Sequence, residues 1–226
     1  MRYKNIVRGT FLDRPNRFIA HVEIDGQVRT VHVKNTGRCK ELLIPGAVVY
    51  LEGSSDPKRK TAWDLVAVEK GDRLINMDSQ APNKVFGEWV QAGEFLPDVT
   101  LICPETRYGD SRFDFYVEAG GKRHFIEVKG VTLEDDGVVR FPDAPTERGV
   151  KHLQELLRAR EEGCECWVCF VIQMGGVKHF EPNDRTHPEF GQALRQAEAG
   201  SVHILALDCS VTPDSLAING PVLVKL

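Results

Sequence analysis

The chain has 226 residues, 42% of them hydrophobic, with 29 Lys+Arg against 33 Asp+Glu and a net charge of −4. That length admits one large domain or two small ones with ordinary cores, and the overall charge does not mark a nucleic-acid binder. The charge is uneven, however: residues 1–80 hold 14 Lys+Arg and 10 Asp+Glu, net +4, while residues 81–226 hold 15 and 23, net −8, an asymmetry that points weakly to a polyanion partner for the first part.

The stretch Met1 to Arg8 lacks the apolar core of a signal peptide, and no segment approaches the length of a membrane span. Runs 17–24 and 27–33 flank Asp25-Gly26, a two-residue hairpin signal. A short helical piece is expected over 38–43, ending at Pro45-Gly46. Runs 47–52 and 62–69 then flank a loop that contains Lys58-Arg59-Lys60. Strands, a short helix and more strands is the order of an OB-type barrel, whose basic groove tracks a nucleic-acid backbone. Arg8, Arg14, Arg17, Arg29, Lys34, Arg38 and Lys58-Arg59-Lys60 are available to line such a groove. A barrel with solvated cations and no ligand is the plainer alternative.

Residues 78–83, polar and Pro-containing, read as a linker, which sets the expected domains at 1–80 and 81–226. Beyond it Val85, Trp89 and Val90 fall at helical spacing over 84–95, and a strand is expected over 101–108. Arg112-Phe113-Asp114-Phe115-Tyr116-Val117 and His124-Phe125-Ile126-Glu127-Val128-Lys129-Gly130 then flank a Gly120-Gly121 turn and read as a hairpin. Strand side chains alternate, so Glu127 and Lys129 share a face while Ile126 and Val128 enter a core. Pairing can bring Asp114 beside them. Two carboxylates and an ammonium at one end of a sheet suit a hard divalent cation such as Mg²⁺ or Mn²⁺ and the hydrolysis of a phosphodiester. A cross-strand ion pair on a solvated face is the alternative.

Further along, Phe141-Pro142-Asp143-Ala144-Pro145-Thr146 precedes a helix expected over 147–161, with Val150, Leu153, Leu156 and Leu157 on one face and a stop at Gly163. Asp143 or Thr146 can cap it. Arg148, Lys151 and His152 either face a phosphate at its N-terminus or are surface charge. Cys164, Cys166 and Cys169 lie in an apolar strand, the first two facing one way and the third the other. No further Cys or His completes a zinc set, so they read as core residues. Six cysteines without a secretory signal read as reduced thiols in a cytoplasmic protein. A helix over 188–199 and a run over 202–207 complete a mixed α/β sheet domain. No internal repeat appears, and no P-loop, G-x-G-x-x-G, G-x-S-x-G or His-Glu-x-x-His is present.

The strings Phe141-Pro142-Asp143-Ala144, Thr146-Glu147-Arg148-Gly149 and Lys151-His152-Leu153, with Ser111-Arg112, Asp114-Phe115 and Glu127-Val128-Lys129 before them, resemble the sugar fermentation stimulation protein A (SfsA) family. Arg17-Phe18, Asn35-Thr36-Gly37, Pro45-Gly46 and Asp56-Pro57-Lys58-Arg59-Lys60 extend the resemblance to nearly the whole chain. Val33, Lys34 and Pro145 depart from the family pattern. The resemblance implies an N-terminal OB-like barrel followed by a PD-(D/E)XK restriction-endonuclease-like mixed α/β domain, with DNA as partner. It puts the metal-site acids on Asp114 and Glu127 and the site lysine on Lys129, with Glu105 and Glu88 as further acidic candidates. The charge pattern of the barrel and of the α-helical start after it gives the expected DNA contacts as Arg17, Lys34, Arg38, Lys58, Arg59, Lys60, Arg148, Lys151 and His152. Two functions are then expected: a Mg²⁺- or Mn²⁺-dependent nuclease, or a non-catalytic DNA-binding regulator of sugar metabolism. RNA is a further candidate partner, since OB domains also take it.

Overall fold

Asp25 and Gly26 both adopt positive φ, and across them β2 (Ile19–Ile24) pairs antiparallel with β3 (Gln27–Val33). The computed structural model describes residues 1–35, 37–56 and 58–226; Thr36 and Pro57, each within a family string quoted above, lie outside the described residues. β1 (Ile6–Asn16) pairs with both β2 and β4 (Val48–Gly53), and β4 pairs with β5 (Trp63–Lys70). Parallel pairing of β3 with β5 closes these five strands into a barrel, and β6 (Arg73–Asn76) adds to β5. Sequence reading passed over β1, whose pairing with β2 carries two register shifts; such irregularities break the period-two signal. Residues 38–43 form turns rather than a helix. Leu42 and Leu43 are buried there, and both their amides donate to the Cys39 carbonyl.

Residues 78–83 are not a loose linker. Asp78 is buried against Lys34 at 2.7 Å, and Ala81-Pro82-Asn83 form the first turn of α1 (Ala81–Gln91). Proline is tolerated there because the first-turn amides have no helical acceptor.

The second sheet runs in the order β15 (Ser215–Pro221), β14 (His203–Thr212), β12 (Glu165–Ile172), β9 (Lys122–Val131), β8 (Ser111–Ala119), β7 (Val99–Tyr108). β9, β12 and β14 are parallel, and the flanking strands are antiparallel. Gly120 and Gly121, both at positive φ, make the β8–β9 turn. α1 packs against one face, burying Val85 and Phe86 with Phe115, Ile126 and Val128. α2 (Glu147–Glu161) and α3 (Pro188–Ala199) cover the other, over Phe113, Phe125 and Phe170. A small sheet of β10 (Leu133–Asp135), β11 (Val138–Phe141) and β13 (His179–Pro182) joins the apolar cluster under α2 and α3 through Val139 and Phe180; its strands are too short to show periodicity.

Cys164 and Cys166 enter the α2 side of the core and Cys169 the α1 side, as strand parity requires. All six thiols are free and only Cys103, on edge strand β7, is incompletely buried. No helix among the described residues is long and apolar enough to cross a membrane.

Candidate metal centre

The β8–β9 ladder ends at Phe115↔Ile126. One residue beyond, Asp114 takes over the ladder's role: its Oδ2 accepts from the Val128 amide at 2.7 Å. Its Oδ1 accepts from Asn83 Nδ2, on the first turn of α1, also at 2.7 Å. Strand divergence therefore turns this carboxylate onto β9, next to Glu127. Lys129 Nζ lies 2.5 Å from Glu127 Oε1, so the two share a face as their spacing predicts. The same oxygen meets His152 Nδ1, from the second turn of α2. Arg148 Nε in turn donates to His152 Nε2 at 3.3 Å, which leaves Nδ1 as the protonated nitrogen facing the carboxylate.

Glu127 is 3% exposed, and its second oxygen, Oε2, is buried without a hydrogen-bond partner. Only Arg14 Nε and Glu155 Oε2 share that condition among the described residues. Burial, followed by the charge of Glu127, pushes the Asp114 carboxyl up to about 6. Burial acts on Glu127 in the same sense, but His152 and Lys129 together outweigh it and hold that carboxyl below its ordinary range. One carboxylate is thus firmly ionised and its neighbour is reluctant to be. A cation between them relieves both the repulsion and the orphaned oxygen. No cluster of three His, Cys, Asp or Glu suited to a metal exists among the described residues. Asp114 and Glu127 together are a donor set that would fit Mg²⁺, which keeps several waters.

Other expected members sit elsewhere. Glu88 Oε2 binds the Met1 amine at 2.6 Å, and Glu105, exposed on β7, pairs with Arg112 Nε at 2.8 Å. Neither joins Asp114 and Glu127. His152 is buried as the partner of Glu127 rather than set out toward a phosphate. Lys34 is committed to Asp78, and Arg59 to Asp64 through two bonds of 2.8 and 2.6 Å. Each of these charges was read correctly as a charge but has a carboxylate at hand. Arg17, Arg38, Lys58, Lys60, Arg148 and Lys151 remain exposed. Arg107, Arg112, Arg148 and Lys151 line a cleft of about 420 Å³ that His152 also borders, so it adjoins the Glu127 side of the centre.

Residues 12–77 match the family described as the SfsA N-terminal OB domain, and residues 80–215 match the sugar fermentation stimulation protein RE domain. The chain belongs to the SfsA family. A sugar fermentation stimulation protein homolog of Clostridium beijerinckii is 60% identical over 219 residues, covering 97% of each chain. One of Ruminiclostridium cellulolyticum is 57% identical over the full length of both. Among solved structures, Pyrococcus furiosus SfsA in complex with Ca²⁺ superposes with a TM-score of 0.90 at 26% identity, covering all of this chain and 98% of the other. The SfsA architecture is therefore an OB barrel followed by a mixed α/β, restriction-endonuclease-like domain.

Sequence reading missed Asn83 and the contact of His152 with Glu127. Pro82 was the available signal for Asn83, because proline near the end of a polar stretch marks a helix start as readily as a linker. Nothing local ties His152 to Glu127, since the contact depends on how α2 docks.

Proposed function

We propose that this SfsA protein binds DNA and hydrolyses its phosphodiester bonds at Asp114, Glu127 and Lys129, with Mg²⁺ or Mn²⁺ held by the two carboxylates. The observation that carries this reading is Glu127 Oε2, a buried carboxylate oxygen with no partner beside a second carboxylate. The Ca²⁺ named in the Pyrococcus furiosus relative supports a hard-cation site in the family. When bound, such a cation neutralises phosphate charge and makes water more acidic. The chain's own residues do the rest. Lys129 uses one N–H on Glu127 and has others for a phosphate oxygen as negative charge builds. His152 fixes the Glu127 carboxylate through Oε1, leaving Oε2 without a protein partner and open to a cation. Asn83 and the Val128 amide hold Asp114 in place. Arg107, Arg112, Arg148 and Lys151 supply phosphate contacts that position the strand without reading its sequence.

The test is cleavage of single- and double-stranded DNA and RNA in EDTA, Mg²⁺ or Mn²⁺, run beside binding measurements in EDTA. Cleavage is expected only with metal. Lys129→Met keeps the apolar stem and removes the ammonium. It should lower the rate roughly a hundredfold, the scale of one lost transition-state donor, while DNA affinity in EDTA stays close to wild type. A wild-type protein that binds DNA yet cuts nothing with either metal is instead a DNA-binding protein with a nuclease-like surface, and the hydrolytic part of the proposal fails.

A further inference from the structure

Two family strings, Asn35-Thr36-Gly37 and Phe141-Pro142-Asp143, have no part in the metal centre. Asn35 and Gly37 from the barrel nevertheless meet Phe141 and Asp143 from the second domain across a cavity of about 270 Å³. Its wall also includes Gly130 on β9 and Thr132 just past the strand's end, beyond Lys129, so the cavity begins within about 10 Å of that lysine at the rise of a strand. Gly37 also lines a groove of about 370 Å³ on the barrel, with Arg17, Arg38 and Lys40 around it. None of those three cations is paired with a carboxylate among the described residues, in contrast to Lys34 and Arg59. Phe18, which follows Arg17, is 56% exposed and is the only aromatic among the exposed large hydrophobic residues described.

The barrel groove and the junction cavity thus share Gly37, and Gly130 on the cavity wall directly follows Lys129 along β9. Their chemistry changes along the path. The groove offers cations, and the turn that carries Arg17 exposes the Phe18 ring next to it in sequence; cations with an aromatic face hold a phosphate backbone while a base stacks. The cavity offers Asn35, Ser79, Thr132 and Asp143, with the Phe141 ring, and its Arg140 is already paired with Glu181 at 2.6 Å. Asp143 repels a phosphate but accepts from a base N–H. Such a cavity suits a base edge, and its volume admits an unpaired nucleotide, not a duplex.

We propose that the protein takes nucleic acid as a single strand, stacked on Phe18, tracked by Arg17, Arg38 and Lys40, and passing one base into the cavity between the domains before it reaches Lys129. This deepens the phosphodiesterase reading and rests on it only for the end point of the track. The test is fluorescence anisotropy in EDTA with a labelled oligothymidylate of about twelve nucleotides and with a hairpin duplex of similar length. Wild type should prefer the single strand. Phe18→Ala should weaken single-strand binding roughly tenfold, the scale of one lost stacked base, and leave duplex binding unchanged. Ser79→Trp, which fills the cavity from its exposed rim, should weaken single-strand binding at an unchanged melting temperature. A parallel titration with oligouridylate assigns the preferred strand to DNA or RNA. Equal wild-type affinity for duplex and single strand, or wild-type single-strand binding by both variants, overturns the track. A protein with the expected single-strand dependence that cuts nothing in Mg²⁺ or Mn²⁺ keeps the track and loses the hydrolytic proposal. Undiminished duplex cutting by Phe18→Ala does the reverse.

Discussion

Asp114 is the residue whose environment departs furthest from what its side chain prefers. Its carboxyl ordinarily ionises near 3.8, but burial and then the charge of Glu127 move it to about 6 in the folded protein. Between those values the folded state binds a proton that the unfolded chain has released, so this group's contribution to stability falls as pH rises through the window. At 1.36 kcal/mol per pH unit the loss is on the order of 3 kcal/mol. Asp114→Asn titrates nothing there. In EDTA, urea unfolding of the two proteins should therefore shift in favour of the variant by about that amount between roughly pH 4 and pH 7. A stability difference that ignores pH would mean another group titrates. The placement of Glu127 and Lys129 was legible in the sequence because a strand's two-residue period is rigid: fixing Ile126 and Val128 in the core fixes the other pair opposite. Asn83 and His152 were not legible, because they reach the site from helices whose docking no local pattern records. Lys34 and Arg59 mark the same limit, since a cation reads alike in sequence whether water or a buried Asp surrounds it.

Elements fix these residues through their ends. Thr146 Oγ1 accepts from the Gly149 amide at 3.1 Å and so caps α2, the helix that carries His152 to Glu127. Of the two caps the sequence allowed, Asp143 instead turns toward the barrel, where its Oδ2 accepts from the Arg38 amide at 3.3 Å. Thr146→Ala should cost about 1 kcal/mol, seen as a fall of about 2–4 °C in melting temperature for a chain of this size, and Thr146→Ser should restore most of it. An unchanged melting temperature in the alanine variant would show that neighbouring packing alone holds that first turn. Gly130 plays a comparable part in β9. A Cβ there would stand 2.7 Å from both Pro82 Cγ and Gln173 Oε1, so glycine lets the start of α1 close over the strand just past Lys129. The long helices α2 and α3 were legible from their apolar spacing. β6, β10, β11, β13 and β15 were not, because a run of three or four residues carries too few alternations to stand out, and β15 lies past the last run that reads as a strand.

Across the whole molecule, the two domains are joined by more than the chain. One apolar cluster runs from barrel residues such as Phe11, Leu65 and Met77 to Phe113, Leu153 and Phe170 of the second domain. Beside it Gln173 Nε2 donates to the Asn76 carbonyl, Asn76 Oδ1 and the Asp78 carbonyl at 2.9–3.1 Å, all buried. Lys70 on the barrel pairs with Glu134 at 2.7 Å, and Arg73 donates to the Gly175 carbonyl at the same distance. This continuity predicts a single calorimetric transition for both domains. Gln173→Leu, which strands the Asn76 carbonyl without a donor, should lower the stability by about 2 kcal/mol. Two separate transitions in wild type would mean that the barrel melts on its own. The thiols follow the same division between shared interior and open surface. Burial pushes those of Cys39, Cys166 and Cys209 up to about 12 and that of Cys169 higher still, while Cys103 alone approaches solvent, on the outermost strand of its sheet. The native chain thus carries its own attachment point for a maleimide dye: one fluorophore per molecule, at a known strand, with no residue exchanged to install it.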